Sequence, residues 1–291
     1  GVCLGLACAT KWNGLFVLAA FGIMTVLWDA GARRVAGARN AYLTAARRDL
    51  PLAFVSLVPV ALAVYVLSWA GWFATDRGYF RDWAEGHPST IWPAFLDPLR
   101  SLWHYHAQMY DFHRSLETAH TYESNPWSWL VVGRPVSYFY EDPKRGVDGC
   151  EVDNCAREVL ALGTPLLWWA ACAALVYLLY RWALRRDWRA GAVLCGVAAG
   201  YLPWFLYQER TIFYFYAVIF VPFLCLGLAM AIGALVGRAW ESERRRMWGA
   251  AAAGVLVLLI VWNFIYFHPI YTGATIPFED WQARMWLNTW I

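Results

Sequence analysis

The sequence predicts an all-α polytopic membrane protein, a single membrane domain over residues 1–291 with six apolar helices and one large external loop. Three observations predict it. Apolar residues are blocked into runs near 51–73, 162–180, 190–207, 211–236 and 248–267. A helix rising ~1.5 Å per residue needs about 20 residues to cross a ~30 Å hydrocarbon core, and these runs approach or reach that length. Charged residues make up 15% of the chain and hydrophobic ones 60%, where soluble domains carry about 25% charged residues. Trp69, Trp72, Trp168, Trp169, Trp182, Trp188, Trp248 and Trp262 sit at run ends, as side chains of an interfacial aromatic belt do. One such run could be a buried core helix, but five in one chain do not fit a soluble core.

Residues 2–28 admit two readings. One is a single helix with Lys11 inside it. The other breaks at Lys11-Trp-Asn-Gly14, where Asn-Gly is a turn signal, leaving 2–9 as a stub and 15–28 as a short span. Residues 1–28 do not read as a signal peptide, because Lys11 interrupts the apolar run and no basic region precedes it. The chain starts at Gly1 inside an apolar run, so N-terminal spans of a longer protein are expected to be missing. The later spans are expected at 51–72, 162–180, 190–206, 211–236 and 248–267.

Arginine fixes the orientation. The short connections carry Arg33, Arg34, Arg39, Arg47 and Arg48, then Arg181, Arg185, Arg186 and Arg189, then Arg238, Arg244, Arg245 and Arg246. Lys and Arg concentrate in short cytoplasmic loops, so 29–50, 181–189 and 237–247 face the cytoplasm. Loop 72–161, the Gln208-Glu-Arg210 turn and the tail 268–291 then face outward. The net charge of +3 gives no nucleic-acid signal; membrane lipids are the expected surroundings.

The outward loop is long enough to be a functional candidate. Leu96, Leu99, Leu102, Trp103, Met109, Tyr110 and Phe112 give 96–120 the apolar side of an interfacial helix. His104, His106, His113 and His120 raise a metal reading, but their spacing matches no ligand motif and no Cys or carboxylate cluster completes a set, so no metal is assigned. Cys150 and Cys155 lie on the oxidising side, five residues apart, and are expected to form a disulfide. Cys3, Cys8, Cys172, Cys195 and Cys225 lie in apolar runs as small core residues.

Ionisable residues at membrane depth are costly and mark function. Lys11 and Arg210 are both expected at the outer boundary, each also readable as a snorkelling cation. Together they suit an anionic lipid headgroup, a phosphate in particular. Glu209 beside Arg210 is expected to orient it.

Five stretches then carry a resemblance: Ala9-Thr-Lys-Trp-Asn-Gly-Leu-Phe16; His120-Thr-Tyr-Glu-Ser-Asn-Pro-Trp-Ser-Trp129 with Arg134-Pro-Val-Ser-Tyr138; Arg157-Glu-Val-Leu-Ala-Leu-Gly163; Glu209-Arg-Thr-Ile-Phe-Tyr-Phe-Tyr216; and Ile276-Pro-Phe-Glu-Asp-Trp-Gln-Ala-Arg-Met-Trp-Leu287. In this order they resemble the C-terminal half to two-thirds of bacterial protein O-mannosyltransferases. The resemblance implies a GT-C-like multi-span glycosyltransferase in the cell membrane, crossing it several times. It implies transfer of mannose from a polyprenyl or dolichyl phosphate mannose lipid to Ser/Thr hydroxyls of secreted polypeptides, with inversion and without a cofactor. The family's catalytic Asp-Glu pair lies in an earlier external loop, so no catalytic base is assigned within this chain. Where eukaryotic members tend to carry His after an Arg-x-x-Phe pattern, this sequence has Tyr214 and Phe215, and a role for those His residues does not carry over.

The resemblance implies Arg210, assisted by Lys11, at the donor phosphate, and His120, Tyr122, Ser124, Trp127 and Trp129 at the sugar or acceptor peptide. The same stretch also reads as a loop anchor at the interface. Rival functions are a lipid-phosphate-sugar transferase acting on a lipid or polysaccharide, a transporter, or a non-catalytic membrane fragment. A transporter is disfavoured because no internal repeat is found and the charges sit at the outer edge.

Overall fold

The computed structural model describes residues 1–291. The sequence predicts one domain; the chain folds as two compact units, Gly1–Glu117 and Thr118–Ile291. They divide in the stretch 115–120, which is mostly exposed and has few apolar side chains to pack in either direction.

The first unit holds four helices: α1 (Val2–Thr10), α2 (Gly14–Val35), α3 (Ala41–Ser68) and α4 (Asp97–Arg114). Of the two readings of the start, the broken one forms. Lys11 is extended at φ −159° and ψ 137°, and the Gly14 N–H donates to Lys11 O at 2.9 Å. Gly14 is required there, since a Cβ would lie 2.6 Å from the backbone N of Cys8. The second helix is longer than the short span 15–28 of that reading, and its 22 residues rise about 33 Å. Its extension follows from Arg33, whose Nε and second guanidinium nitrogen each donate to Asp49 at 2.6 Å, drawing the start of the Arg-rich connection into the helix. The span expected at 51–72 begins ten residues earlier, at Ala41, and includes a π-helical turn at Ala45–Asp49. Helix α4 carries Leu99, Trp103, Tyr110 and Phe112 exposed, the apolar face expected of an interfacial helix.

The second unit holds α5 (Pro165–Ala183), α6 (Trp188–Tyr201), α7 (Val221–Val236) and α8 (Glu243–Thr272). The span expected at 211–236 is corrected: residues 214–219 form a 3-10 turn and the α-helix starts at Val221. Pro222 explains the late start, since within a longer helix it would lack a donor and strike the carbonyl four residues back. Pro203 likewise ends α6 at Tyr201, and a 3-10 turn carries the chain on to Leu206. The core gathers around Trp129, Trp168, Phe220, Leu224 and Phe267.

The segment 136–161 and the tail form a sheet that the helix-period reading does not anticipate. Strands β1 (Val136–Glu141) and β2 (Cys155–Ala161) pair antiparallel, Val136 opposite Ala161 and Glu141 opposite Arg157. Strand β3 (Ile276–Pro277) adds to the other side of β2, with Cys155 opposite Pro277. The turn beyond β1 is closed by a Cys150–Cys155 disulfide with Cα atoms 5.9 Å apart. In β2, Ala156, Glu158 and Leu160 are buried while Arg157 and Val159 are less so, the alternation a pleated strand imposes.

Candidate functional site

Two stretches of the second unit meet to form the site, 118–129 and 204–216. The Ser124 N–H donates to Ile212 O at 2.8 Å, and the Thr211 hydroxyl donates to Thr118 O at 2.6 Å. Asn125 Nδ2 donates to Gln208 Oε1 at 3.1 Å. The His120 ring stands edge-on to Phe213, centroids 5.1 Å apart. Trp204 and Tyr216 stack at 4.5 Å beneath this seam. Local sequence explains the joint: Pro203 and Pro222 forbid continuous helix, so the residues between them turn and present backbone groups to the loop.

Arg210 sits in that turn, its own N–H donating to Tyr207 O at 3.2 Å. Its Nε is buried and has no hydrogen-bond partner. A guanidinium nitrogen out of water without an acceptor is costly, and an anion is what would satisfy it. Glu209, expected to orient Arg210, is exposed and forms no ion pair with it. Adjacent side chains on a tight turn project in different directions.

The five residues expected at sugar or acceptor divide into two groups. Trp129 is 0% exposed and Ser124 8%, and the Trp129 indole N–H donates to Ser124 Oγ at 2.9 Å. Both are corrected to scaffold, because a side chain enclosed by its own unit cannot touch a substrate. His120, Tyr122 and Trp127 keep accessible surface. Trp127 is 72% exposed and lies edge-on to Phe205 at 4.7 Å. His120 is exposed, and its Nδ1 accepts from the Tyr122 N–H at 3.1 Å.

Sequence reasoning left Arg134 without a role. Its guanidinium donates to the carbonyls of Thr121 at 2.9 Å, Thr289 at 2.6 Å and Ile291 at 2.7 Å. Its Cζ lies 5.3 Å from the centre of the Tyr122 ring. It therefore joins the tail to the loop that bears His120. The signal was available, since Arg134 opens the second part of the His120 stretch.

Glu158 is the buried carboxylate of the unit, 4% exposed, and accepts the Trp281 indole N–H at 2.6 Å. Burial pushes its carboxyl above the ordinary carboxylate range, against hydrogen bonds from Trp281 and Ser137 that pull it down. It is enclosed between β2 and the tail, which suits structure more than proton transfer to a substrate.

Lys11 belongs to the first unit, exposed at the α1–α2 break. Its neighbour Trp12 donates its indole N–H to the Tyr65 hydroxyl at 2.9 Å, and Tyr65 meets His106 Nε2 at 2.5 Å. His106 Nδ1 faces Leu102 O at 2.8 Å, and a carbonyl only accepts, so Nδ1 carries the proton and Nε2 accepts from Tyr65. His104 stacks on Trp83 at 4.1 Å. These histidines thus brace α4 and the break.

Residues 98–290 match the family described as the C-terminal four TMM region of protein-O-mannosyltransferase. The chain is 40% identical to a polyprenol-phosphate-mannose–protein mannosyltransferase of Mycolicibacterium smegmatis, covering 100% of this chain and 57% of that one. It is 36% identical to the protein of the same description from Mycobacterium tuberculosis, covering 100% of this chain and 56% of that one. The chain thus spans a little over half the length of these relatives. Among solved structures it resembles the Saccharomyces cerevisiae protein O-mannosyltransferase Pmt1-Pmt2 complex bound to the sugar donor, with a TM-score of 0.51 and 26% identity over 68% of this chain and 27% of that one.

Proposed function

We propose that this chain, which belongs to the protein O-mannosyltransferase family, supplies the donor-phosphate side of an enzyme that mannosylates proteins. In this reading the donor is a polyprenyl or dolichyl phosphate mannose lipid, and the acceptors are Ser/Thr hydroxyls of polypeptides on the outer side of the cell membrane. The observation that carries it is the buried Arg210 Nε without a partner, in the turn that follows Tyr207 and leads into Thr211, which is hydrogen-bonded to Thr118.

Inverting transfer from a phosphate breaks the bond between the anomeric carbon and the phosphate oxygen while the hydroxyl attacks the opposite face. Charge grows on the departing phosphate, and positive charge spreads over the sugar ring as in glycoside hydrolysis. A phosphate leaves without being protonated, so a fixed cation takes the place of a general acid. Arg210 fills that role, and its planar fork suits two phosphate oxygens. Lys11, exposed at the α1–α2 break of the first unit, is a separate candidate for lipid phosphate. His120, Tyr122 and Trp127 supply aromatic and hydrogen-bonding surface for sugar or peptide, and Ser124 and Trp129 hold that surface in shape. No carboxylate of these residues is assigned as the base.

The test is Arg210→Ala in the complete protein, with mannosyl lipid donor and a Ser/Thr-rich acceptor peptide. Loss of a fixed charge at a developing anion is expected to lower transfer about 10²–10³-fold, with partial recovery in Arg210→Lys. Near-normal transfer in Arg210→Ala would remove the phosphate role. Transfer to a lipid acceptor in place of the peptide would reassign the acceptor class.

A further inference from the structure

The second site lies at the opposite end of the same unit, on the side that the arginines assign to the cytoplasm. Helix α5 ends at Ala183, Arg186 turns the chain at φ +53°, and α6 restarts at Trp188 with the Asp187 side chain as its N-cap. Helix α7 ends at Gly237, φ +87°, which brings in Arg238. These ends frame an open recess of about 540 Å³ lined by Arg181, Arg185, Arg186, Arg189 and Arg238, with Asp187 as its one carboxylate. The volume is within the range of small-ligand sites.

Asp187 is already engaged twice. It binds Arg181 in an ion pair, and it accepts the Arg189 backbone N–H at 3.1 Å. Arg181 also donates to the Tyr177 hydroxyl at 2.6 Å. Arg185, Arg186, Arg189 and Arg238 take part in none of the ion pairs of the structure. Four cations around one cavity repel each other, and an anion relieves that repulsion. The concentration of arginine on this side explains their sign but not the shared cavity, which gathers five of them from three helix ends. Tyr180, Trp182 and Trp188 are exposed around the site, as aromatic side chains at headgroup level are.

We propose that this cavity binds the phosphate-bearing headgroup of an anionic phospholipid. Guanidinium forks match phosphate oxygens, and basic recesses between helices at the cytoplasmic surface suit such headgroups.

The test is native mass spectrometry of the whole protein in detergent, with phosphatidylglycerol or phosphatidylcholine of the same acyl chains. Phosphatidylglycerol is expected to be retained in preference. Combined Arg185→Gln, Arg186→Gln and Arg238→Gln should weaken it by about tenfold or more, while combined Arg39→Gln, Arg47→Gln and Arg48→Gln should leave it unchanged. Equal losses in both variants, or no loss in the first, would overturn the proposal. Should the first variant unfold, Arg238→Gln alone must still lower retention severalfold for the proposal to stand. Displacement of the lipid by millimolar inorganic phosphate would assign the site to free phosphate and end the lipid reading.

Discussion

The two units bury their helices very differently. In the first, the apolar windows of α2 and α3 are each 6% buried; in the second, that of α6 with its 3-10 extension is 44% buried. The aromatic core of Trp129, Trp168, Phe220 and Phe267 lies wholly within the second unit. Membrane helices gain nothing from hiding leucine from lipid, so their association rests on packing, small residues and polar links. The second unit has these: Gly196 and Gly200 let Phe223 and Phe220 approach α6, and the Asn263 side chain accepts the Leu166 N–H at 3.0 Å. The first unit packs α1 closely on α3 through Gly1 and Gly5, which approach Ser56, Val60 and Ala61, and is linked at Trp12–Tyr65 and Arg33–Asp49, but it leaves most apolar side chains of α2 and α3 outward. Precise placement of a charged side chain is therefore expected in the second unit, where the turn that bears Arg210 is tied to the loop through Thr211 and Ile212.

The contrast can be broken most decisively at Trp129. Trp129→Ala should destabilise the second unit by about 3–5 kcal/mol, measured by thermal unfolding in detergent. A loss under about 1 kcal/mol would show that this core does not carry the unit.

A smaller effect is expected at Glu158, and it has a sign. Its folded carboxyl titrates above its ordinary value, so over that interval the folded state holds a proton that the unfolded chain has released. Stability from this group is therefore greatest below the ordinary carboxylate range and falls as pH rises through it toward the folded value. Glu158→Gln should flatten that fall, read as the melting temperature between acidic and neutral pH. An unchanged pH profile would mean that Glu158 is solvated in the folded protein.

The smallest effect is expected in the first unit. Leu52 is 72% exposed on α3, and Leu52→Ala should change stability in detergent by less than about 0.5 kcal/mol. A cost near that of Trp129→Ala would mean that this face is covered in the protein as purified, and the contrast between units would narrow.

The sequence announced the features that follow from hydrophobic length and charge. The long apolar helices and the Asn-Gly break both depend on local composition. The sheet was not legible, because β2 pairs with residues about 120 positions later and the helical period does not describe Val136–Tyr140. The late start of α7 was legible in Pro222 but was masked by the apolar run around it. In the candidate site, motif membership singled out His120 to Trp129 as a region. It could not separate Trp129, buried beneath the loop, from Trp127, presented above it, since side-chain direction in a 3-10 turn depends on what lies under it. Glu209 was misjudged because adjacency in sequence is not adjacency of side chains.

The pairing of β2 with β3 has a consequence for membrane insertion. Four helices, α5 to α8, separate Cys155–Ala156 from Ile276–Pro277, yet the two segments share backbone hydrogen bonds. Only an even number of crossings returns the chain to the side it left. A chain in which one of these helices failed to insert would carry Ile276 to the opposite aqueous phase, leaving the edge of β2 unsatisfied and Glu158 without the Trp281 indole. If α5 to α8 each cross the membrane, the sheet acts as a parity check on topology, closing only when an even number of the intervening crossings has been made.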